Sequence, residues 1–346
     1  MKKSLALILM VCMMFTMTAF AAEAEYKLGL GVVVDLESSD TENAQVDATF
    51  ATVVLDAEGK IVLCRIDVAQ NKMAVAGGAV DAAKTFETKM ELGDRYGMAG
   101  KVDNDGNGVM KEWYEQTKAF EAYVVGKTVA EVEAIETKEA NGHQIAVDQA
   151  LLDAGCSMQI TDFIAAVVAA CKDEQGVSFK TAAEFTLGVA AKTSAADSVA
   201  ATAEANGTVA MYTDFAAAVV ADGKIIAALN DAIQPKITIN AAGEITGKSY
   251  KATKRNLKEE YGMAPALNYG MDWNGDGKVL EWYLQSAEFS KYVVGKSADE
   301  VANLATKEVE GKGYVISADD ALLNAGCTIQ ITSIKAVMAQ AAKNAR

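Results

Sequence analysis

The chain has 346 residues, a formal net charge of −15 at neutral pH and 51% hydrophobic residues. A surface this acidic repels phosphate backbones and anionic lipid, so nucleic-acid binding is not expected. The length exceeds what one hydrophobic core usually organises, and two domains are therefore predicted.

Residues 1–21 are predicted to be a secretory signal peptide. Lys2 and Lys3 precede an apolar run that ends in the triplet Ala19-Phe20-Ala21, and this small-x-small pattern is typical of a cleavage site. A membrane anchor is the alternative, but polar acidic sequence follows the run at once. Once the signal is removed, no apolar stretch is long enough to span a bilayer. We therefore expect an extracytoplasmic protein, either secreted or at the cell surface.

An internal repeat organises the rest of the chain. EWYEQTKAFEAYVVGKTVAEV (112–132) matches EWYLQSAEFSKYVVGKSADEV (281–301), and DQALLDAGCSMQIT (148–161) matches DDALLNAGCTIQIT (319–332). The two copies run over residues 26–173 and 180–346, and each is predicted to be a domain. The polar bridge CKDEQGVSF between them is predicted to be a short linker.

The first predicted element of each copy is a β-hairpin. DATFATVVLDAEGKIVLCRIDVA contains two β-rich runs about a glycine-containing turn, and FAAAVVADGKIIAALNDA is its partner in the second copy. A short irregular stretch and an acidic loop follow. Next comes an amphipathic helix, whose residues Trp113 and Trp282 are expected in the core because large aromatics at helical spacing usually pack inside.

A second helix follows the first almost directly in each copy. Gly126 is predicted to end the first helix, and Thr128 with Glu131 forms the capping box that starts the second. Ser297 and Glu300 form the same motif in the second copy. A short strand and a final apolar helix complete each unit. This order predicts an α+β fold of two tandem homologous domains, each an antiparallel sheet packed against helices.

The acidic loops, VDNDGNGVMKEWY and MDWNGDGKVLEWY, begin like calcium loops. Oxygen ligands recur at alternate positions before a glycine, as calcium requires. The closing Glu, however, comes at position 10 instead of 12, so neither loop is a standard EF-hand. A polar turn that caps the following helix is the alternative. The predicted metal ligands are Asp103, Asp105, Asn107 and Glu112 in the first copy, and Asp272, Asn274, Asp276 and Glu281 in the second.

The segments EYKLGLGVVV, DATFATVVLDAEGKIVLCRID and AGCSMQITDFIAAVVAAC together resemble the FMN-binding domain family of bacterial extracytoplasmic redox proteins. Members of that family typically begin with Y-x-G-x-G and carry an S-G-A-T motif, whose Thr holds a phosphodiester-linked FMN. This chain has AGCS and AGCT at that place. The resemblance therefore implies Thr328, and less well Ser157, as flavin attachment sites.

Catalytic signatures are scarce in the sequence. His143 is the only histidine and lies in a polar loop, which leaves nucleophile–histidine pairs almost without support. Cys64, Cys156, Cys171 and Cys327 form no C-x-x-C motif and are expected to be buried thiols, with a Cys156–Cys171 disulfide as the alternative.

We therefore expect an extracytoplasmic protein that binds without catalysing a reaction. Its ligand would be flavin or another small molecule, and calcium would stabilise its loops. The alternative is a structural or interaction protein of the cell envelope, with an envelope protein as its partner. The sequence does not indicate which oligomeric state the protein adopts.

Overall fold

The computed structural model describes residues 23–101, 103–264, 279–311 and 313–346. Helices and antiparallel sheets make up both repeats, which confirms the predicted α+β class. The predicted signal peptide, residues 1–21, lies outside the described residues, which begin just after it. The predicted calcium ligands Asp272, Asn274 and Asp276 also lie outside them.

The first repeat and the bridge after it contain long strands, short strands and helices. The strands are β1 (Ala24–Asp35), β2 (Asn43–Leu55), β3 (Ile61–Ala74), β4 (Thr137–Ala140), β5 (His143–Ala146) and β6 (Val177–Thr181). The helices are α1 (Lys89–Leu92), α2 (Trp113–Val124), α3 (Val129–Glu133), α4 (Gln149–Asp153) and α5 (Thr161–Cys171).

The second repeat follows the same order and adds a small sheet of its own. Its strands are β7 (Thr186–Ser194), β8 (Gly207–Ala210), β9 (Tyr212–Ala221), β10 (Lys224–Ile233), β11 (Lys236–Ile239), β12 (Ile245–Ser249), β13 (Thr306–Val309) and β14 (Tyr314–Ser317). Its helices are α6 (Lys254–Leu257), α7 (Trp282–Tyr292), α8 (Ala298–Ala302), α9 (Asp320–Asn324) and α10 (Thr332–Lys343).

Two antiparallel sheets form the centre of the molecule. The first has the strand order β3-β2-β1-β6 and the second has β10-β9-β7. The predicted hairpins appear as β2–β3 and β9–β10. The bridge that was predicted to be a linker instead contributes β6, which pairs with β1 and places Phe179 opposite Tyr26. The bridge therefore extends the first sheet.

The two sheets face each other and share one hydrophobic cluster. Leu30 and Phe50 from the first repeat pack with Val219 and Leu229 from the second, and the rings of Phe50 and Phe215 lie 5.0 Å apart between centroids. Helices α2 and α5 cover the outer face of the first sheet, and α7 and α10 cover that of the second. The division into two domains stays a prediction, because the central core belongs to both repeats.

Glycines in β1 and β7 allow the last helix of each repeat to approach its sheet closely. A Cβ atom on Gly29 would lie 2.0 Å from the carbonyl oxygen of Ala170 in α5, and one on Gly188 would lie 2.0 Å from that of Ala341 in α10. Any side chain at either position would collide with helix backbone. Helix–sheet packing therefore explains Gly29 of the "LGLG" segment.

The capping boxes and the buried tryptophans match the sequence-based predictions. Thr128 and Ser297 each accept a hydrogen bond from the N3 amide of their helix, and the N3 glutamate reaches back in both. Trp113 and Trp282 are buried. The short strand predicted at residues 157–160 is wrong, since that described segment is irregular. Hairpins β4–β5 and β13–β14, which the sequence analysis missed, precede it instead.

All four cysteines of the described chain are free thiols and are buried. Cys64 lies under helix α2, and burial raises the pKa of its thiol well above the ordinary value. This agrees with the expectation of buried apolar thiols and leaves the alternative Cys156–Cys171 disulfide unformed in this structure.

Candidate functional site

The first acidic loop folds into a compact turn before helix α2. The Asp103 carboxylate accepts hydrogen bonds from the backbone amides of Asn107 and Gly108, at 3.1 and 3.0 Å. The Asn107 side chain donates to Asp105 at 2.7 Å. Partial burial and the neighbouring Asp103 carboxyl raise the pKa of Asp105, and its Oδ1 has no hydrogen-bond partner among the described residues. The loop thus brings the Asp103 and Asp105 carboxylates close together. A bound cation would offset their mutual repulsion and give Asp105 Oδ1 a partner.

The two early glutamates have a different role from the one predicted for them. Glu112 accepts the backbone amides of Met98 and Ala99 at 2.9 and 3.0 Å. Glu281 accepts those of Met263 and Ala264 at 2.9 and 3.1 Å. Each glutamate therefore fastens the preceding turn to the start of the helix, which explains its place at position 10.

No group of three or more His, Cys, Asp or Glu side chains in the described part of the chain is arranged to hold a metal ion. The predicted ligands of the second loop, except Glu281, lie outside that part. Calcium binding therefore stays a prediction, and in the first repeat it depends on Asp103, Asp105 and Asn107 alone.

The predicted flavin attachment residues are buried. Ser157 and Thr328 are each 1% exposed. The Gln116 side chain accepts the amides of Ser157 and Met158, both at 3.0 Å, while Gln285 accepts that of Thr328 at 2.7 Å. These residues therefore do not fit a covalently attached flavin in this conformation, because their buried hydroxyls leave no room for an attached cofactor.

A cleft with several charged side chains in its wall opens where the two repeats meet, beside β3 and β7. We call it the charged cleft, and it has a volume of about 320 Å³. Strand β3 provides Arg65 and Asp67, α2 provides Lys118, and the second repeat closes the cleft with Val189–Ala191 of β7. Strand β3 lies beside β7, where Arg65 Nε donates to the Leu187 carbonyl at 3.2 Å.

A buried carboxylate lies next to this cleft and joins the repeats. Glu121 of α2 is 3% exposed, and its Oε1 accepts the Ile66 amide at 2.9 Å. Arg346 of the second repeat donates to both of its oxygens, at 3.2 and 3.0 Å, and Arg65 lies 3.7 Å away. Burial raises the pKa of Glu121, and the two arginines oppose that rise. The acid of one repeat is thus neutralised by a base of the other.

Asp67 is the most perturbed carboxyl of the charged cleft. It is 4% exposed, and burial raises its pKa to about 7, although Thr88, Met90 and Val68 all donate hydrogen bonds that lower it. A buried acid that titrates near neutral pH, inside a cleft whose lining also includes Arg65, Lys118 and Glu91, is a common feature of binding and catalytic sites. It can both release and accept a proton under physiological conditions.

Sequence reasoning missed Asp67, Arg65 and Lys118 because no spacing singles them out. One signal was present: Asp67 interrupts the apolar β-run of "CRIDVA", and its repeat counterpart Asp231 does the same in "ALNDAI". Both carboxylates are buried and accept the amide of the next residue, Val68 or Ala232. A charged residue at matching places in two apolar strands therefore indicates a structural or functional constraint.

No protein-family profile matches the chain, and no solved structure matches it significantly. Among curated proteins, a chlorophenol reductase of Desulfitobacterium hafniense is 33% identical over 155 residues. The match covers 39% of this chain and 46% of that protein, so the chain spans less than half of the relative's length. This similarity contradicts the prediction that the protein is not an enzyme, because the relative is named as a reductase.

Among the described residues, every helix is too short or too polar to cross a bilayer. His143 lies exposed at the start of β5, away from the charged cleft, as expected for a surface histidine.

Proposed function

We propose that the protein is an extracytoplasmic protein that takes part in a reduction and binds a small anionic ligand in the charged cleft. The observation that carries this proposal is the joint presence of Arg65, Lys118 and the buried Asp67 in one cleft. The signal-like start of the chain supports an extracytoplasmic location. The partial similarity to a chlorophenol reductase supports the reductive role.

Lys118, Arg65 and Asp67 have different roles in the charged cleft. Lys118 is exposed on α2 and can contact an anion directly, whereas Arg65 already donates to the carbonyl groups of Leu187 and Cys64. Arg65 therefore supplies positive potential more than a free donor. Asp67, protonated below about pH 7, offers a proton to a bound anion. A ring-bearing anion such as a chlorinated phenolate suits this combination, as does the phosphate of a flavin nucleotide.

The direct test is binding of two probes, pentachlorophenol, which is anionic at neutral pH, and FMN. Isothermal titration of the wild-type protein is expected to show binding of at least one, weakened about five-fold or more by Lys118→Ala. Lys138→Ala is the matched control, because Lys138 is an exposed lysine on β4, remote from the cleft. The proposal would be refuted if neither probe binds, or if the two variants have equal affinities.

Protein isolated from its own host decides the predicted flavin attachment. Its mass reports whether Thr328 or Ser157 carries a covalently bound FMN, and we expect none because both hydroxyls are buried. If neither probe binds, the role of a structural or interaction protein of the cell envelope gains support. Binding to isolated cell wall would then be the measurement to make.

A further inference from the structure

A second, smaller pocket lies at the position in the second repeat that corresponds to the charged cleft. We call it the Asn230 pocket, and its volume is about 140 Å³. It lies between β10, α7 and the start of β6. Val177, Ala228 and Leu229 are among the side chains that make its wall largely apolar, and Asn230, Ser286 and Ser290 are among its polar lining residues.

Asn230 carries a hydrogen-bond donor that nothing in the described structure uses. The residue is 2% exposed. Its side-chain oxygen accepts from the Ser290 hydroxyl at 2.8 Å, and its backbone carbonyl accepts from the Ser286 hydroxyl at 3.0 Å. Its Nδ2 has no hydrogen-bond partner. A buried amide left unpaired costs free energy, so a residue that lines the pocket carries a donor that an acceptor from outside the chain would satisfy.

The cations around the Asn230 pocket are already neutralised. Arg255 donates to both carboxylate oxygens of Asp173, at 3.1 and 3.0 Å, and both side chains are almost fully buried. Lys291 pairs with Glu288 at 2.6 Å. An anion would therefore find little free positive charge here, in contrast to the charged cleft. The lining favours a neutral ligand.

The volume of the pocket limits the size of the ligand. Apolar cavities of about 150 Å³ stay dry and accept benzene, and the Asn230 pocket has a similar volume and a largely apolar wall. One donor over an apolar space matches a molecule with one acceptor oxygen on a compact apolar body.

We propose that the Asn230 pocket binds a small neutral molecule, the size of a single aromatic ring, whose oxygen accepts a hydrogen bond from Asn230 Nδ2. The first repeat has no such site, because Ile66 and Glu121 stand at the positions of Asn230 and Ser290. The site is thus a property of the second repeat and is separate from the charged cleft.

Phenol, which is neutral at pH 7, is the probe, and benzene is the comparison without an acceptor. Thermal-shift and titration measurements on the whole protein should show saturable phenol binding, about five-fold tighter than benzene. Val177→Phe places a ring in the pocket from β6 and should weaken phenol binding ten-fold or more. Val199→Phe is the matched control, because Val199 is 61% exposed elsewhere, and it should bind phenol like the wild type.

Asn230→Ala tests the hydrogen bond and should make the affinities for phenol and benzene equal. The proposal is overturned if the wild type does not bind phenol or if Val177→Phe binds it unchanged. A variant Asn230→Ala that still prefers phenol would overturn the role of the donor. Lys118→Ala should leave phenol binding unchanged, so that this proposal and the one for the charged cleft fail separately.

Discussion

Replacing Asp67 by Asn should make the protein more resistant to unfolding at neutral and alkaline pH. In the structure, Asp67 Oδ1 accepts the amides of Val68 and Met90 at 2.7 and 3.0 Å. The side-chain oxygen of Asn can accept both of these hydrogen bonds. The substitution therefore keeps both amide hydrogen bonds and removes the ionisable proton.

The expected magnitude follows from the raised pKa of Asp67. Burial shifts this pKa from 3.8 to about 7, and each unit corresponds to about 1.4 kcal/mol, so about 4 kcal/mol is the upper estimate. Because the folded protein holds the proton more tightly than the unfolded chain, this contribution is complete below pH 3.8. It is lost as the pH rises through about 7.

Urea unfolding of both proteins between pH 4.5 and 8.5 measures the effect. The free energy of unfolding of Asp67→Asn, minus that of the wild type, should grow with pH by up to about 4 kcal/mol and level off above pH 8. Contributions from other buried acids, such as Glu121, cancel in this difference. Asp197→Asn, at an exposed site, should show no such trend. A difference that does not change with pH would refute a buried, proton-binding Asp67.

Three further experiments test other parts of the structure. Arg255→Ala leaves Asp173 buried without its partner and should cost about 3–5 kcal/mol in urea unfolding, against under about 1 kcal/mol for the exposed Lys291→Ala; equal costs would contradict the buried pair. Glu112→Ala frees two backbone amides and should cost about 2 kcal/mol, with an unchanged unfolding curve as the contrary result. Millimolar calcium should raise the Tm of the wild type and of Glu112→Gln by more than it raises that of Asp103→Ala. Equal calcium responses in the wild type and Asp103→Ala would exclude the first loop.

Local patterns in the sequence predicted the local structure well. The capping boxes at Thr128 and Ser297 depend on residues three apart, and the hairpins depend on a turn between two β-rich runs. Such signals lie within a few residues, where backbone geometry alone decides the outcome. The α+β class followed from their order along the chain.

The clefts depend on contacts that no local pattern records. Arg65 meets Leu187, and Glu121 meets Arg346, across more than 100 residues of chain. The sequence predicts Glu112 to be a displaced calcium ligand, because its partners in the structure, the amides of Met98 and Ala99, become its neighbours only when the preceding turn folds back onto the helix. Sequence spacing could show that Glu112 was misplaced for an EF-hand but could not show what held it.

The charges at the junction suit a pairing of the two different repeats. The acids Glu121 and Asp173 come from the first repeat and the bridge, and their partners Arg346 and Arg255 come from the second. In a pair of two first repeats, Met90 would stand where Arg255 stands and would leave Asp173 buried without a base. In a pair of two second repeats, Asn344 would replace Asp173, and Arg255 would lack its acid. Because an unpaired buried charge costs several kcal/mol, divergence of the copies has made each one the favoured partner of the other and has left two chemically different pockets at equivalent positions.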